Sequence, residues 1–143
     1  MVITNHDIIM RLLIALIVGG LTGLERERSH QFAGFRTHIL VSVGSCITSI
    51  TSLSLFFQYN SYSNIDPARL SAQVLSGVGF LGAGAILKTS NGIRGLTTAA
   101  GIWATACIGI AVGSPLLFSI VLEVLAMAIR EEKEIKESRS EKK

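Results

Sequence analysis

Apolar residues fall into five runs, each closed by a short polar or charged stretch. The runs are Ile8–Leu24, Thr37–Phe57, Leu70–Leu87, Leu96–Val112 and a fifth from about Pro115 to Ile129. About 20 apolar residues cross a bilayer as a helix. The pattern therefore predicts an all-α, polytopic transmembrane helix bundle of about five spans. The first, fourth and fifth runs are short, which asks for little tilt or a locally thinned membrane. Residues 1–130 form the transmembrane domain on this reading, and 131–143 a charged tail. The tail pairs opposite charges at helical spacing, as in Glu132 with Lys136. It has no apolar face with which to build a second domain.

Composition strengthens the membrane reading. Apolar residues make up 49% of the chain and the mean hydropathy is +0.52. Between Ile8 and Arg130 ionisable side chains are sparse and stand mostly where the apolar runs stop. The formal net charge of +3 is thus no nucleic-acid patch. Basic residues favour the cytoplasmic side of a membrane. "ERERSHQFAGFR" carries Arg26, Arg28 and Arg36, and "KTSNGIRG" carries Lys88 and Arg94, whereas "QYNSYSNIDPAR" carries only Arg69 and "GSP" nothing. With six Lys/Arg from Arg130 onward, the alternation fits an N-terminus outside and a cytoplasmic C-terminus. Tyr59 and Tyr62 fall where an interfacial aromatic belt is expected. The first run ends in charges rather than in a small-residue cleavage site and reads as a retained helix. Cys46 and Cys107 lie inside apolar runs without CxxC or histidine partners, so no disulfide or zinc site is indicated.

The stretch "SGVGFLGAGA" contains Gly77-Val-Gly79-Phe-Leu-Gly82, a literal match to the dinucleotide fingerprint. That motif needs a preceding strand, a following helix and an acidic residue about 20 positions on. The next acidic residue is Glu123 and the preceding "ARLSAQVLS" reads as helix, so the nucleotide reading fails and no cofactor is expected. Packing is the alternative. Lipid gives helices no hydrophobic drive to associate, and small residues let backbones approach. Gly77 and Gly84 form one stripe, Gly79, Gly82 and Ala83 another. A helix this bare on two faces is expected to be squeezed between two neighbours. Gly19 and Gly23 are four apart, as are Gly101, Thr105, Gly109 and Gly113 in turn. In the second run Ser42, Ser45, Ser49 and Ser52 face one way, with Thr48 and Thr51 beside them. This stripe reads either as interhelical hydrogen bonding or as a polar lining for an ion or water path.

Charges near spans are costly and mark functional hypotheses. In "NIDPARLSAQ", Asp66 suits an N-cap and Pro67 the first helical turn. Arg69 opposes the helix dipole, Asp66 is placed to pair with it, and Gln73 extends the polar edge inward. A second cluster is Glu25, Arg26 and Glu27, with Arg36, Thr37 and His38 at the next span. It reads as a solvated turn with positive-inside anchors or as a site. The two clusters face opposite sides of the membrane and should not share a metal. Each holds few carboxylates for Mg²⁺, and whether a metal binds is open. Glu123 sits within the fifth run, unpaired by sequence. His6, His30 and His38 are isolated, and no catalytic constellation is visible, so no enzyme is expected.

At these residues the sequence resembles a known family. "GLTGLERERSHQFAGFRTHILVSVGS", "DPARLSAQVLSGVGFLGAGAILK" and "IRGLTTAAGIWATACIGIAVG" are similar to the membrane domain of MgtC/SapB proteins, over about Gly19 to Gly113. Glu25, Arg26 and Glu27 match the family's charged turn, and Gly34, Arg36 and Thr37 its G-F/L-R-T element. Asp66, Pro67, Arg69 and Gln73 match its DP-x-R…Q element. Gly77, Gly79, Gly82, Gly84, Gly95, Thr97 and Trp103 match its glycine-rich helices and the block after them. The resemblance implies a multi-span protein of the bacterial inner membrane, tied to growth at low Mg²⁺, acid stress and virulence. It implies a regulator that acts through other membrane proteins, ATP synthase among the proposed targets; direct Mg²⁺ transport has weak support within the family. Many members end in a soluble cytoplasmic domain, where here only the charged tail follows. The expected function is a non-enzymatic modulator embedded in the bilayer and bound to another membrane protein. The alternatives are a cation transporter or channel, and a packing subunit that builds a homo-oligomer.

Overall fold

A computed structural model of the chain describes residues 4–59, 64–90 and 92–115. The first helix, α1, runs Asn5–Arg28. Thr4 and Asp7 start it with a capping box: Asp7 N–H donates to Thr4 Oγ1 and Thr4 N–H to the Asp7 carboxylate. Arg26 and Arg28 close it, cations at the negative end of the dipole. A short turn through His30, which takes a left-handed φ of 52°, leads to α2, Phe35–Tyr59. Then come α3, Arg69–Gly84, and α4, Leu96–Gly113.

Between α3 and α4 the chain makes an antiparallel hairpin, β1 Leu87–Thr89 with β2 Gly92–Arg94, paired Leu87↔Arg94 and Lys88↔Ile93. The apolar run that predicts a third span through Leu87 therefore stops as helix at Gly84. The Ala85 N–H closes the last turn on the Leu81 and Gly82 carbonyls. The Asn91-Gly92 pair in the sequence is a hairpin signal that the run-length reading overlooked. Gly95 ends the hairpin at φ 87°, where a β-carbon would collide with the Ala85 carbonyl, so the turn into α4 needs glycine.

Helices α1, α2 and α4 are long and apolar enough to cross a membrane. The count of five spans is not reached by the described residues. At 16 residues α3 is about 24 Å long, short of a hydrocarbon core of about 30 Å. The fifth run lies outside the described residues.

Among the described residues, hydroxyls, Arg11 and His38 share the interior with apolar side chains such as Ala15, Ile50 and Ala106, and the outside is apolar. The largest fully buried side chains are His38, Thr98, Thr105, Cys46 and Ser42, while Leu21, Leu40 and Phe80 are 65%, 72% and 82% exposed. In water this arrangement would be unfavourable. In a bilayer the outer leucines meet lipid, and the hydroxyls are satisfied between helices.

Candidate functional site

The inner face of α2 is the seam of the bundle. A β-carbon at Gly19 of α1 would lie 2.8 Å from both the His38 carbonyl oxygen and Ser42 Cβ. One at Gly23 would lie 2.6 Å from Phe35 Cα. From the other side, Gly113 of α4 sits equally close to Ser49 and to the Cys46 carbonyl, and Gly109 closer still to the Ser42 carbonyl. The serine stripe lies between these two backbones. Ser42, Ser45, Ser49 and Ser52 are all buried. Ser42 Oγ donates to the Ala15 carbonyl at 2.8 Å, and Ser52 Oγ to the Pro67 carbonyl at 2.7 Å. Among the described residues, contacts this tight on both sides of Ser42, and from α4 on Ser49, close the seam there.

Two ionisable residues line the same seam: His38, which sequence reasoning grouped with the charged turn, and Arg11, which it did not single out. His38 is fully buried, one turn before Ser42. Its Nδ1–H donates to the Gly34 carbonyl at 3.0 Å, while Nε2 is buried without a hydrogen-bond partner among the described residues. A β-carbon at Gly101 would lie 3.6 Å from that Nε2. Arg11 is 3% exposed, and its Nη1 donates at 2.6 Å to the Gly113 carbonyl at the end of α4. The signal for Arg11 was present: Arg11, Ala15, Gly19 and Gly23 are successively four apart, and all four are buried. His38 extends the serine stripe by one i, i+4 step.

Where α1 meets α2, the charged turn is organised as a cap. Glu27 Oε2 accepts the Phe35 N–H at 2.9 Å, placing a carboxylate on the positive end of α2. A β-carbon at Gly34 would lie 2.9 Å from the same oxygen, so a side chain before Phe35 would have to push the Glu27 carboxylate aside. Glu25 pairs with Arg26 at 2.5 Å. Arg36 is exposed and Thr37 half-buried; with Glu27, Gln31 and Phe32 they line a depression of about 640 Å³. Gln31 ties this turn to α4 by accepting the Thr98 hydroxyl at 2.9 Å.

Asp66, Arg69 and Gln73 lie at the other end of α2, beyond the Ser52–Pro67 contact, and all three are exposed. The expected Asp66 N-cap is displaced by two residues. The helix cap is Ala68, without a side-chain bond, and Asp66 Oδ1 instead accepts the Ala68 N–H at 2.8 Å. Pro67 accordingly sits in the preceding turn rather than in the helix. Among the described residues the ion pair is Glu25–Arg26, and Asp66 and Arg69 make none. No group of three His, Cys, Asp or Glu side chains converges on a metal-sized site among the described residues.

The glycines of α3 part company. Gly82 is buried and packs at ordinary distance on Ala99 of α4. Gly77, Gly79 and Gly84 have nothing within 4 Å of a β-carbon among the described residues. The expectation that α3 is squeezed on two faces is not met there. The tight contacts belong to α1–α2 and α2–α4, where each glycine stands opposite a backbone carbonyl or a serine.

A model of the MgtC family matches residues 12–137. The chain belongs to the MgtC family. Protein SapB of Bacillus subtilis is 45% identical over 113 residues, covering 77% of this chain and 49% of that protein. YhiD of Escherichia coli K12, named as a candidate magnesium transporter, is 41% identical over 129 residues, covering 86% and 60%. Protein MgtC of Brucella abortus is 44% identical over 103 residues, covering 72% and 41%. The chain thus spans about half the length of the curated relatives it matches. No solved structure matches it. Family membership and three long apolar helices make this a membrane protein.

Proposed function

We propose that this MgtC-family chain is a non-catalytic module of the bacterial inner membrane that binds a transmembrane helix of another membrane protein and so modulates it. One observation carries the reading: the side of α3 that the described residues leave open. Gly77, Gly79 and Gly84 present bare backbone, and Phe80 beside them is 82% exposed. Between helices in lipid, small residues allow the close contact that drives association, and an aromatic side chain adds a large packing surface. The setting is magnesium limitation or acid stress, on the family resemblance, and ATP synthase is one candidate partner. Arg26, Arg28, Arg36, Lys88 and Arg94 gather where α1, α2, α3 and α4 turn. The positive-inside rule puts that end in the cytoplasm and the N-terminus outside.

A transporter is the second reading, favoured by the name of the Escherichia coli relative. The closed seam around the serine stripe and the exposed, unclustered Asp66, Arg69 and Gln73 favour the modulator instead. A photo-crosslinking residue at Phe80 in the full chain, in living cells, separates the readings. The modulator gives an adduct with a different membrane protein, lost in Gly79→Leu. Adducts only between copies of the chain would show the homo-oligomer. No adduct, together with Mg²⁺ flux in proteoliposomes that falls in Asp66→Asn, would show the transporter.

A further inference from the structure

We infer that the groove between α1 and α4 holds an anionic phospholipid, a site separate from the face of α3. The groove has a volume of about 360 Å³. Thr22 and Arg26 line it from α1; Thr97, Ala100, Ala104 and Ile108 line it from α4. Both helices are of membrane-crossing length and hydropathy, so, among the described residues, the space between them opens sideways onto lipid rather than onto water.

The lining is graded along its length. Arg26 and Thr97 stand at the end where α1 finishes and α4 begins. Ala100, Ala104 and Ile108 follow on successive turns of α4, one residue every four. Deeper in, the Thr22 and Thr105 hydroxyls also line the groove, but each donates to a carbonyl of its own helix, Val18 and Gly101. The order, cation and hydroxyl first and then apolar side chains and internally bonded hydroxyls toward the membrane interior, matches a phosphate followed by an acyl chain. Ala100, Gly101 and Ala104 keep the floor low enough to admit the chain. A transmembrane helix laid in the same groove would gain from the small floor but would leave Arg26 facing its apolar side.

Arg26 is suited to the phosphate. A guanidinium is a planar fork that meets phosphate oxygens with two parallel hydrogen bonds. Its ion pair with Glu25 is made through Nε, on one edge of the fork. Arg28, Arg36, Lys88 and Arg94 lie at the same end of the bundle but do not line the groove. They add a general attraction to anionic headgroups, whereas Arg26 alone combines charge with the groove.

The test is native mass spectrometry of the full chain in mild detergent, titrated in parallel with phosphatidylglycerol, phosphatidylcholine and free glycerol phosphate. Phosphatidylglycerol is expected to bind at least about fivefold more tightly than phosphatidylcholine, the effect of one basic residue at an anionic surface. Arg26→Gln should erase that preference, Arg28→Gln should keep it, and Glu25→Gln should increase it. Ala104→Phe, which fills the groove from an exposed position, should weaken both lipids. Equal binding of the two lipids by the unaltered chain would overturn the proposal. So would an equal loss in Arg28→Gln, binding of glycerol phosphate as tight as that of the lipid, or a dimer in place of lipid adducts that Ala104→Phe dissolves.

Discussion

Arg11 of α1 and Gly113 of α4 are 102 residues apart in sequence and joined by a 2.6 Å hydrogen bond from the guanidinium to the carbonyl. The bond places a buried cation on the C-terminal end of α4, where the helix dipole is negative. Charges inside a bundle are expensive, so this one is held where its field and its Nη1 donor are both used. Arg11→Leu is expected to cost about 1.5–3 kcal/mol, the range for a buried bond to a charged group. Arg11→Lys should recover part of that, since an ammonium keeps the charge but not the planar fork. Equilibrium unfolding in mixed micelles, followed by the single tryptophan, Trp103, measures both. Equal stability of Arg11→Leu and the unaltered chain would show that the bond contributes nothing.

Glycine positions in the two kinds of helix face should respond oppositely to the same substitution. At Gly109 a side chain would enter the Ser42 carbonyl and approach Ser45 Cβ to 2.9 Å. Gly109→Leu should therefore destabilise by about 1–3 kcal/mol, as overpacking does, or prevent folding. At Gly79 nothing described lies within 4 Å, and Gly79→Leu should leave stability within about 0.5 kcal/mol, as at open surface positions. Thermal melts monitored by size-exclusion chromatography compare the two. If Gly79→Leu proves as damaging as Gly109→Leu, the face of α3 is covered within the folded chain, and the docking surface proposed for a partner does not exist.

This contrast also shows what could be read from the sequence. Periodicity located α1, α2 and α4, because a bilayer imposes length and apolarity on any crossing helix. The i, i+4 rows of Gly101, Thr105, Gly109 and Gly113 pointed at a seam for the same reason. Glycine density misled in α3, because composition records that a backbone is bare but not what lies against it. Three-dimensional pairing was out of reach altogether. Nothing in "ERE" and "GFRT" says that Glu27 reaches eight residues forward to Phe35, and nothing near Gln31 points to Thr98, 67 positions away. The hairpin Leu87–Arg94 was hidden because Leu87 read as the end of the third span and residues 88–94 as a charged connection.

The bond from the Phe35 N–H to Glu27 makes α2 depend on a residue outside it. Glu27→Ala removes the acceptor and the favourable charge together, with a cost of about 0.5–2 kcal/mol, the range for helix caps. Glu27→Gln keeps an acceptor and should lose only the dipole contribution, about 0.3–1 kcal/mol. Hydrogen exchange is the direct measurement, because the affected amide is Phe35 itself. Its exchange should quicken in Glu27→Ala, less so in Glu27→Gln, with α4 unaffected. Unchanged protection at Phe35 in Glu27→Ala would mean that water or another group caps α2 equally well.

The orphaned Nε2 of His38 offers a substitution that should stabilise. With Nδ1–H committed to the Gly34 carbonyl, Nε2 is an acceptor with no donor among the described residues, a state that costs about 1–3 kcal/mol when buried. A β-carbon at Gly101 fits at ordinary contact distance, 3.6 Å from that nitrogen. Gly101→Ala should gain about 0.5–1 kcal/mol from helix propensity alone. Gly101→Ser places a hydroxyl one bond beyond the β-carbon, within reach of Nε2. Serine is the poorer helix former, so without the new bond it must be less stable than alanine. The prediction is the reverse order, serine above alanine by about 0.5–1.5 kcal/mol, and a return to the propensity order in a His38→Phe background. Serine below alanine with His38 intact would show that Nε2 already has a donor, and a buried water is the one to look for.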